Sequence, residues 1–322
     1  MSQRGGPAGI GLVVLAAIGF GLNGPMARVA EDLGFNAVTF ATWRAIASVV
    51  ALASLLAIGV ALHRAQTTPL RSISRLEWVQ LVAMGIFVAG TTLGLFLGFE
   101  RTTIALTLIL FYTYPIIVAV AAVRLYGEPL GLRRSFAILL ASVGMVLLVL
   151  APGANGDELG ADLVGVLFAL FAAACQTGYA LVASRGFASV PAFQASTILR
   201  GFSMLVYLLL LVPLVLLIGE SEQLLGPLDG IEAWVVIIVV GVFGAALPTA
   251  GLVEGYRRVG PTRGAVLMLV EPLTGVLLAA LWFAERPAPI QLVGGLLVLA
   301  GAALVQLAPS THAHAEQEPS GE

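Results

Sequence analysis

The chain has 322 residues, 59% hydrophobic and 11% charged, with a formal net charge of −2 and a mean hydropathy of +1.01. A soluble domain carries about 25% charged residues, so these few charges cannot cover this much apolar surface, and lipid must be the solvent for most of the chain. The net charge excludes nucleic-acid binding through a basic surface, and the single Cys175 excludes an internal disulfide.

In lipid every backbone N–H and C=O needs an internal partner, so apolar runs of about 20 residues are read as helices. About ten such spans follow along the chain. The first, 9–29, follows Arg4 and would also fit a signal peptide, but it has a counterpart in the second half of the chain, which favours a retained helix. Its stretch Gly19-Phe20-Gly21-Leu22-Asn23-Gly24-Pro25 predicts a broken helix, a pointer to a binding site, with Asn23 at the break. Span two (37–62) carries Arg44, span three (78–98) Thr91 and Thr92, and span four (103–123) Tyr112, Tyr114 and Pro115. Spans five (134–151) and six (161–183) follow, the latter with Gln176 and Tyr179 on one helix face at i, i+3. Span seven (193–218) carries Arg200, and span eight (232–254) carries Thr249 directly after Pro248. Span nine (263–283) holds Glu271-Pro272 about midway, and span ten is 289–307. Turn signals separate the spans, as in Gly127-Glu128-Pro129, Pro152-Gly153-Ala154-Asn155-Gly156 and Gly226-Pro227-Leu228-Asp229-Gly230. The polar tail 309–322 is expected to be disordered.

All sixteen basic residues are arginine. With the N-terminus inside, the cytoplasmic segments carry eleven near the span ends (Arg4, Arg64, Arg71, Arg75, Arg124, Arg133, Arg134, Arg185, Arg257, Arg258 and Arg263). The outer segments carry three, Arg28, Arg101 and Arg286, and are otherwise acidic. Positive charge stays inside, so both termini are expected in the cytoplasm, with the chain in the plasma membrane.

Residues 89–152 align without a gap on 246–309 at an offset of 157. Ala89, Thr92, Gly94, Gly98 and Arg101 meet Ala246, Thr249, Gly251, Gly255 and Arg258; Pro115 meets Pro272, Glu128 meets Glu285 and Gly144 meets Gly301. Arg44 and Arg200 correspond at an offset of 156. Each half therefore has five spans, and an odd number makes the second half enter from the opposite side. The expected fold is an all-α integral membrane protein, two inverted five-helix repeats (9–152 and 161–308) around a central cavity. The alternative is a duplication that merely enlarged a bundle.

An ionisable side chain deep in a membrane helix costs several kcal/mol, roughly 2.5–3.5 on insertion scales, which makes Glu271 the sharpest candidate. Pro272 loosens the helix beside it, and the carboxylate could bind a substrate amine or carry a coupling proton, or bond a neighbouring helix. Its first-half counterpart is Tyr114, so the halves differ chemically there. Asn23, Tyr112, Tyr114, Gln176, Tyr179, Thr92 and Thr249 could hydrogen-bond a polar substrate or equally join helices. Arg44 and Arg200, placed symmetrically, suggest a structural or gating role, as do Pro115 and Pro272 at helix breaks. Glu128 and Glu285 open connections and read as structural. His63, His312 and His314 have no metal or catalytic spacing, and there is no phosphate-binding loop, so no metal, cofactor or enzyme activity is expected.

Tyr112-Thr113-Tyr114-Pro115 then Gly127-Glu128-Pro129, and Glu271-Pro272-Leu273 then Ala284-Glu285-Arg286, each followed by a Gly- and Leu-rich span, resemble the EamA-type ten-span members of the drug/metabolite transporter superfamily. The resemblance covers residues 9–308 and includes Arg44; Ala284 stands where the family usually has Gly. It implies a basket of ten helices around a cavity, and transport, commonly export, of amino acids or related metabolites, either proton-coupled or uncoupled. The expected function is a secondary transporter of small molecules working by alternating access, its cavity built from spans one, three, four, six, eight and nine. Rival readings are an intramembrane enzyme acting on lipid-linked substrates, which would need polar residues clustered at one membrane face, and a sensor subunit, which would need a long loop or an added domain.

Overall fold

The structure, a computed structural model, describes residues 6–307 apart from 103, 128–130, 150–161, 188, 212, 214–225, 227 and 284–287. Glu128, Glu285, the loop at 152–156 and the tail lie outside the described residues. Every described element is helical: α1 (Pro7–Gly21), α2 (Asn23–Asp32), α3 (Ala37–Ala61), α4 (Arg75–Arg101), α5 (Ile104–Phe111), α6 (Tyr114–Tyr126), α7 (Leu132–Val149), α8 (Leu163–Arg185), α9 (Ala192–Val206), α10 (Ile231–Gly241), α11 (Leu247–Val259), α12 (Pro261–Leu267), α13 (Val270–Trp282) and α14 (Pro289–Leu307). A π-helical turn, Tyr207–Leu211, follows α9, and another, Val242–Ala246, joins α10 to α11. Eight of the continuous segments they form are long and apolar enough to cross a membrane, and Pro289–Val305 is a shorter apolar helix. The chain is a multi-pass membrane protein.

Local chemistry sets the helix ends. Asn36 caps α3 by accepting from the Thr39 amide at 2.8 Å. Ser74 and Glu77 form a reciprocal capping box at the start of α4. Asp162 caps α8 through the Val164 amide. Gly127, at φ 64°, closes α6 in the left-handed conformation that favours glycine.

Packing follows the internal repeat. A Cβ on Gly144 would stand 2.6 Å from the Gly294 oxygen and 2.7 Å from the Val298 nitrogen; one on Gly301 would stand 2.8 Å from the Ala137 oxygen and 2.9 Å from the Ala141 nitrogen. At the offset of 157 these are one contact seen from each half. Along α7 the partner numbers on α14 fall as its own rise, so the two helices are antiparallel. A two-fold axis relating antiparallel membrane helices lies in the membrane plane, which is inverted topology. Similarly, Gly9 of α1 abuts Arg258 and Val259, as Gly165 of α8 abuts Arg101 and Thr102. Lipid offers no hydrophobic drive between helices, so such small residues, by letting backbones touch, supply the contact.

The loops sort onto two faces. On the arginine-rich face, the Thr68 amide donates to Gln194 Oε1 and Gln194 Nε2 returns a bond to the Thr68 carbonyl, both at 2.8 Å. There the Phe187 amide donates to Gln80 (2.7 Å) and the Ser189 amide to Glu77 (2.9 Å). Arg257 donates to the Phe187 and Val190 carbonyls (2.8 and 2.9 Å) and lies over the Phe187 ring. On the other face Trp43 meets Trp234 edge-on at 5.6 Å, the Trp234 indole N–H donates to the Leu228 carbonyl, and Arg101 pairs with Asp162 at 3.6 Å.

Candidate functional site

Four prolines set the interior geometry. Proline has no N–H for the carbonyl four residues back and crowds it. Before Pro25 the first span breaks at Leu22; before Pro115 the fourth breaks at Tyr112–Thr113; before Pro272 the ninth breaks at Met268–Leu269. Before Pro248 the eighth opens into the Val242–Ala246 π-turn. Glu271 stands midway along the continuous span Pro261–Trp282, as expected, and the loosening beside Pro272 is a full break: α12 ends at Leu267, and Glu271 stands in the first turn of α13. The fourth span breaks at the corresponding place, putting Tyr114 where the second half has Glu271.

These breaks meet. Gly21, the last residue of α1, lies where a Cβ would come 3.0 Å from the Glu271 carbonyl oxygen and 2.6 Å from Thr274 Cβ. Asn23 Nδ2 donates to the Gly244 carbonyl at 3.1 Å, the acceptor that Pro248 leaves without its usual amide. Asn23 Oδ1 accepts from Arg44 Nη1 at 2.8 Å. Arg200 reaches the adjoining carbonyl: its Nε donates to Thr249 Oγ1 at 2.8 Å, its Nη2 to the Ala245 oxygen at 3.4 Å, and Thr249 Oγ1 donates to that same oxygen at 2.7 Å. The two repeat-related arginines thus end on neighbouring carbonyls of one π-turn, Arg44 through Asn23 and Arg200 directly.

Glu271 is partly exposed, and among the described residues its carboxylate makes no hydrogen bond. Arg44 is the opposite charge acting on it, and Tyr112, Tyr114 and Tyr256 lie within its field. Tyr112 and Tyr114 are buried against Phe111, with ring centroids 4.9 and 5.4 Å away, and the Tyr114 hydroxyl donates to the Ala265 carbonyl at 3.3 Å. The Tyr179 ring is 6.3 Å from that of Tyr256. The hydroxyls of Tyr179 and Tyr207 are buried without a hydrogen-bond partner among the described residues, so each keeps a donor and an acceptor to offer, whereas the Tyr256 hydroxyl lies against that of Tyr114.

Glu271, Arg44, Asn23, Tyr112, Tyr114, Tyr179, Arg200 and Thr249 are therefore gathered into one polar cluster. Thr249 spends its hydroxyl anchoring Arg200. Thr92 bonds its own helix at the Val88 carbonyl (3.2 Å), and the Thr91 hydroxyl is buried without a partner. Gln176 is partly exposed and, among the described residues, makes no side-chain hydrogen bond. Tyr207 and Tyr256 belong to the cluster and were missed from sequence. Their scarcity was a usable signal, since five of the six tyrosines in the chain gather here. The described residues contain no His/Cys/Asp/Glu group that could hold a metal ion.

Residues 7–150 and again 163–307 match the EamA-like transporter family. An uncharacterized transporter of Synechocystis sp. is 28% identical over 221 residues, which cover 67% of this chain and 63% of that protein, just under two thirds of the relative. An uncharacterized protein of Pseudomonas aeruginosa is 29% identical over 299 residues, 92% of this chain and 94% of the relative. A protein of known crystal structure has the same fold, with a TM-score of 0.71 at 21% identity over 92% of this chain and 98% of that one.

Proposed function

The chain belongs to the EamA-like transporter family, and from that premise we propose that it is a secondary transporter that exports amino acids or related small metabolites by alternating access. The observation that carries this reading is the meeting of three interrupted helices and a π-turn on one polar cluster, inside a body that is mostly apolar. Interrupted helices place free backbone groups and side chains where a polar solute can be held in the membrane. The inverted halves supply two related conformations that exchange which face is open.

Two features support the alternation. Residues 261–270 are buried except Arg263, whereas residues 271–276 are each partly exposed, so the ninth span is sealed on one side of its break and less deeply buried on the other. The sealed side lies toward the arginine-rich face, where Arg257, Gln80 and Glu77 fasten the loop after α8. With that face in the cytoplasm of a plasma-membrane protein, both termini lie inside. Glu271 is the group that would carry a coupling proton.

Purified protein in liposomes, assayed for flux of a panel of the twenty protein amino acids in both directions, tests the reading. Saturable flux of at least one panel member is expected. Absence of flux for every member would remove the amino-acid assignment.

A further inference from the structure

Arg44 and Arg200 hold equivalent places in the two repeats but differ in what they have left to give. A guanidinium carries five N–H donors. Arg200 is 5% exposed and is tied through Nε and Nη2 to Thr249 and the Ala245 carbonyl. Arg44 is partly exposed and makes one hydrogen bond among the described residues, to Asn23 Oδ1. That bond aims the guanidinium without using it up, because Asn23 is itself held by Gly244. Two residues before Asn23, Gly21 rests on the Glu271 backbone. One helix break therefore aims the guanidinium and packs against the backbone that carries Glu271.

We infer that Arg44 binds the carboxylate of a zwitterionic substrate while Glu271 takes its ammonium, and that Arg200 is the structural twin that cannot do so. The assignment rests on the amino-acid reading above and gives Arg44 a different role from the structural one its symmetric position suggested. Its electrostatics are simple. In the empty site Arg44 is the opposite charge that acts on Glu271, without a direct ion pair between them. An α-amino acid brings one charge of each sign and leaves none unpaired. An amine or an acid alone pairs one protein charge and strands the other. Arginine suits the task because its planar fork matches a carboxylate through two parallel bonds.

The test is ligand-induced thermal stabilisation of the purified full-length protein, which reads binding without requiring transport. The probes are the twenty amino acids, each with its decarboxylated amine and its N-acetyl acid. Wild type should be stabilised by at least one amino acid, at a concentration about a hundredfold below that needed for either singly charged analogue. Arg44→Gln should bring that amino acid and its amine within a few-fold of each other. Should Arg44→Gln fail to fold, Arg44→Lys keeps the charge without the fork, and should raise KM for amino-acid flux at least tenfold with a smaller effect on kcat. Arg200→Gln should weaken the protein without changing the order of the probes. An Arg44 variant that keeps the wild-type preference for amino acid over amine overturns the inference and leaves the transporter reading standing. A wild type that neither binds nor moves any amino acid overturns both.

Discussion

At the scale of the residue, the cluster turns on a carboxylate placed where lipid-spanning chains rarely put one. Glu271 differs from its counterpart Tyr114 in carrying a carboxyl group in place of a phenol, so the asymmetry between the halves is one of chemistry as well as of shape. Glu271→Gln keeps the size and removes the titration. It should lower amino-acid flux and abolish the pH dependence of what remains, while leaving the melting temperature of the purified protein within a few degrees of wild type. Flux measured in liposomes across an imposed pH gradient decides this, and unchanged dependence on the gradient would reduce Glu271 to a packing role.

At the scale of the element, proline and glycine govern. Proline decides where four spans open, because the carbonyl four residues earlier loses its amide and must find another donor, as the Gly244 carbonyl does in Asn23. Glycine decides where helices touch. At Gly144 and Gly301 a side chain would run into backbone of the opposing helix, which cannot rotate away, whereas nothing lies within 4 Å of a Cβ on Gly24. Gly144→Leu and Gly301→Leu should therefore each destabilise the protein by about 2 kcal/mol or more, and to a similar degree, because the axis makes them one contact. Gly24→Ala should leave the melting temperature nearly unchanged. A thermal melt of the three purified variants would show it; a large difference between the two leucine variants would break the symmetry argument.

At the scale of the whole molecule, the two faces carry the orientation. Ser189 lies in the fastened loop of the arginine-rich face, and Asp229 lies beside Trp234 on the other; both are exposed. With Cys175 replaced by alanine, a cysteine introduced at Asp229 should react with a membrane-impermeant maleimide in intact cells. One introduced at Ser189 should react only after the cells are opened. The reverse pattern would invert the proposed topology.

Membrane residence, the approximate spans, the doubled architecture and its register all follow from the sequence alone. Each depends on local composition or on chain spacing: about 20 apolar residues cross a bilayer whatever surrounds them, and the offset of 157 persists in the packing of Gly144 on α14 and of Gly301 on α7. Glu271, Asn23 and Tyr114 were legible because a charge, amide or phenol within two residues of a proline is unusual in such surroundings. What only the tertiary structure decided is which partners those groups find. The inequality of Arg44 and Arg200, the commitment of Thr249 to one of them, and the inclusion of Tyr207 and Tyr256 depend on helices remote in sequence. Two side chains in equivalent registers face different neighbours once the halves have diverged, and no spacing along the chain records which of the two keeps donors to spare.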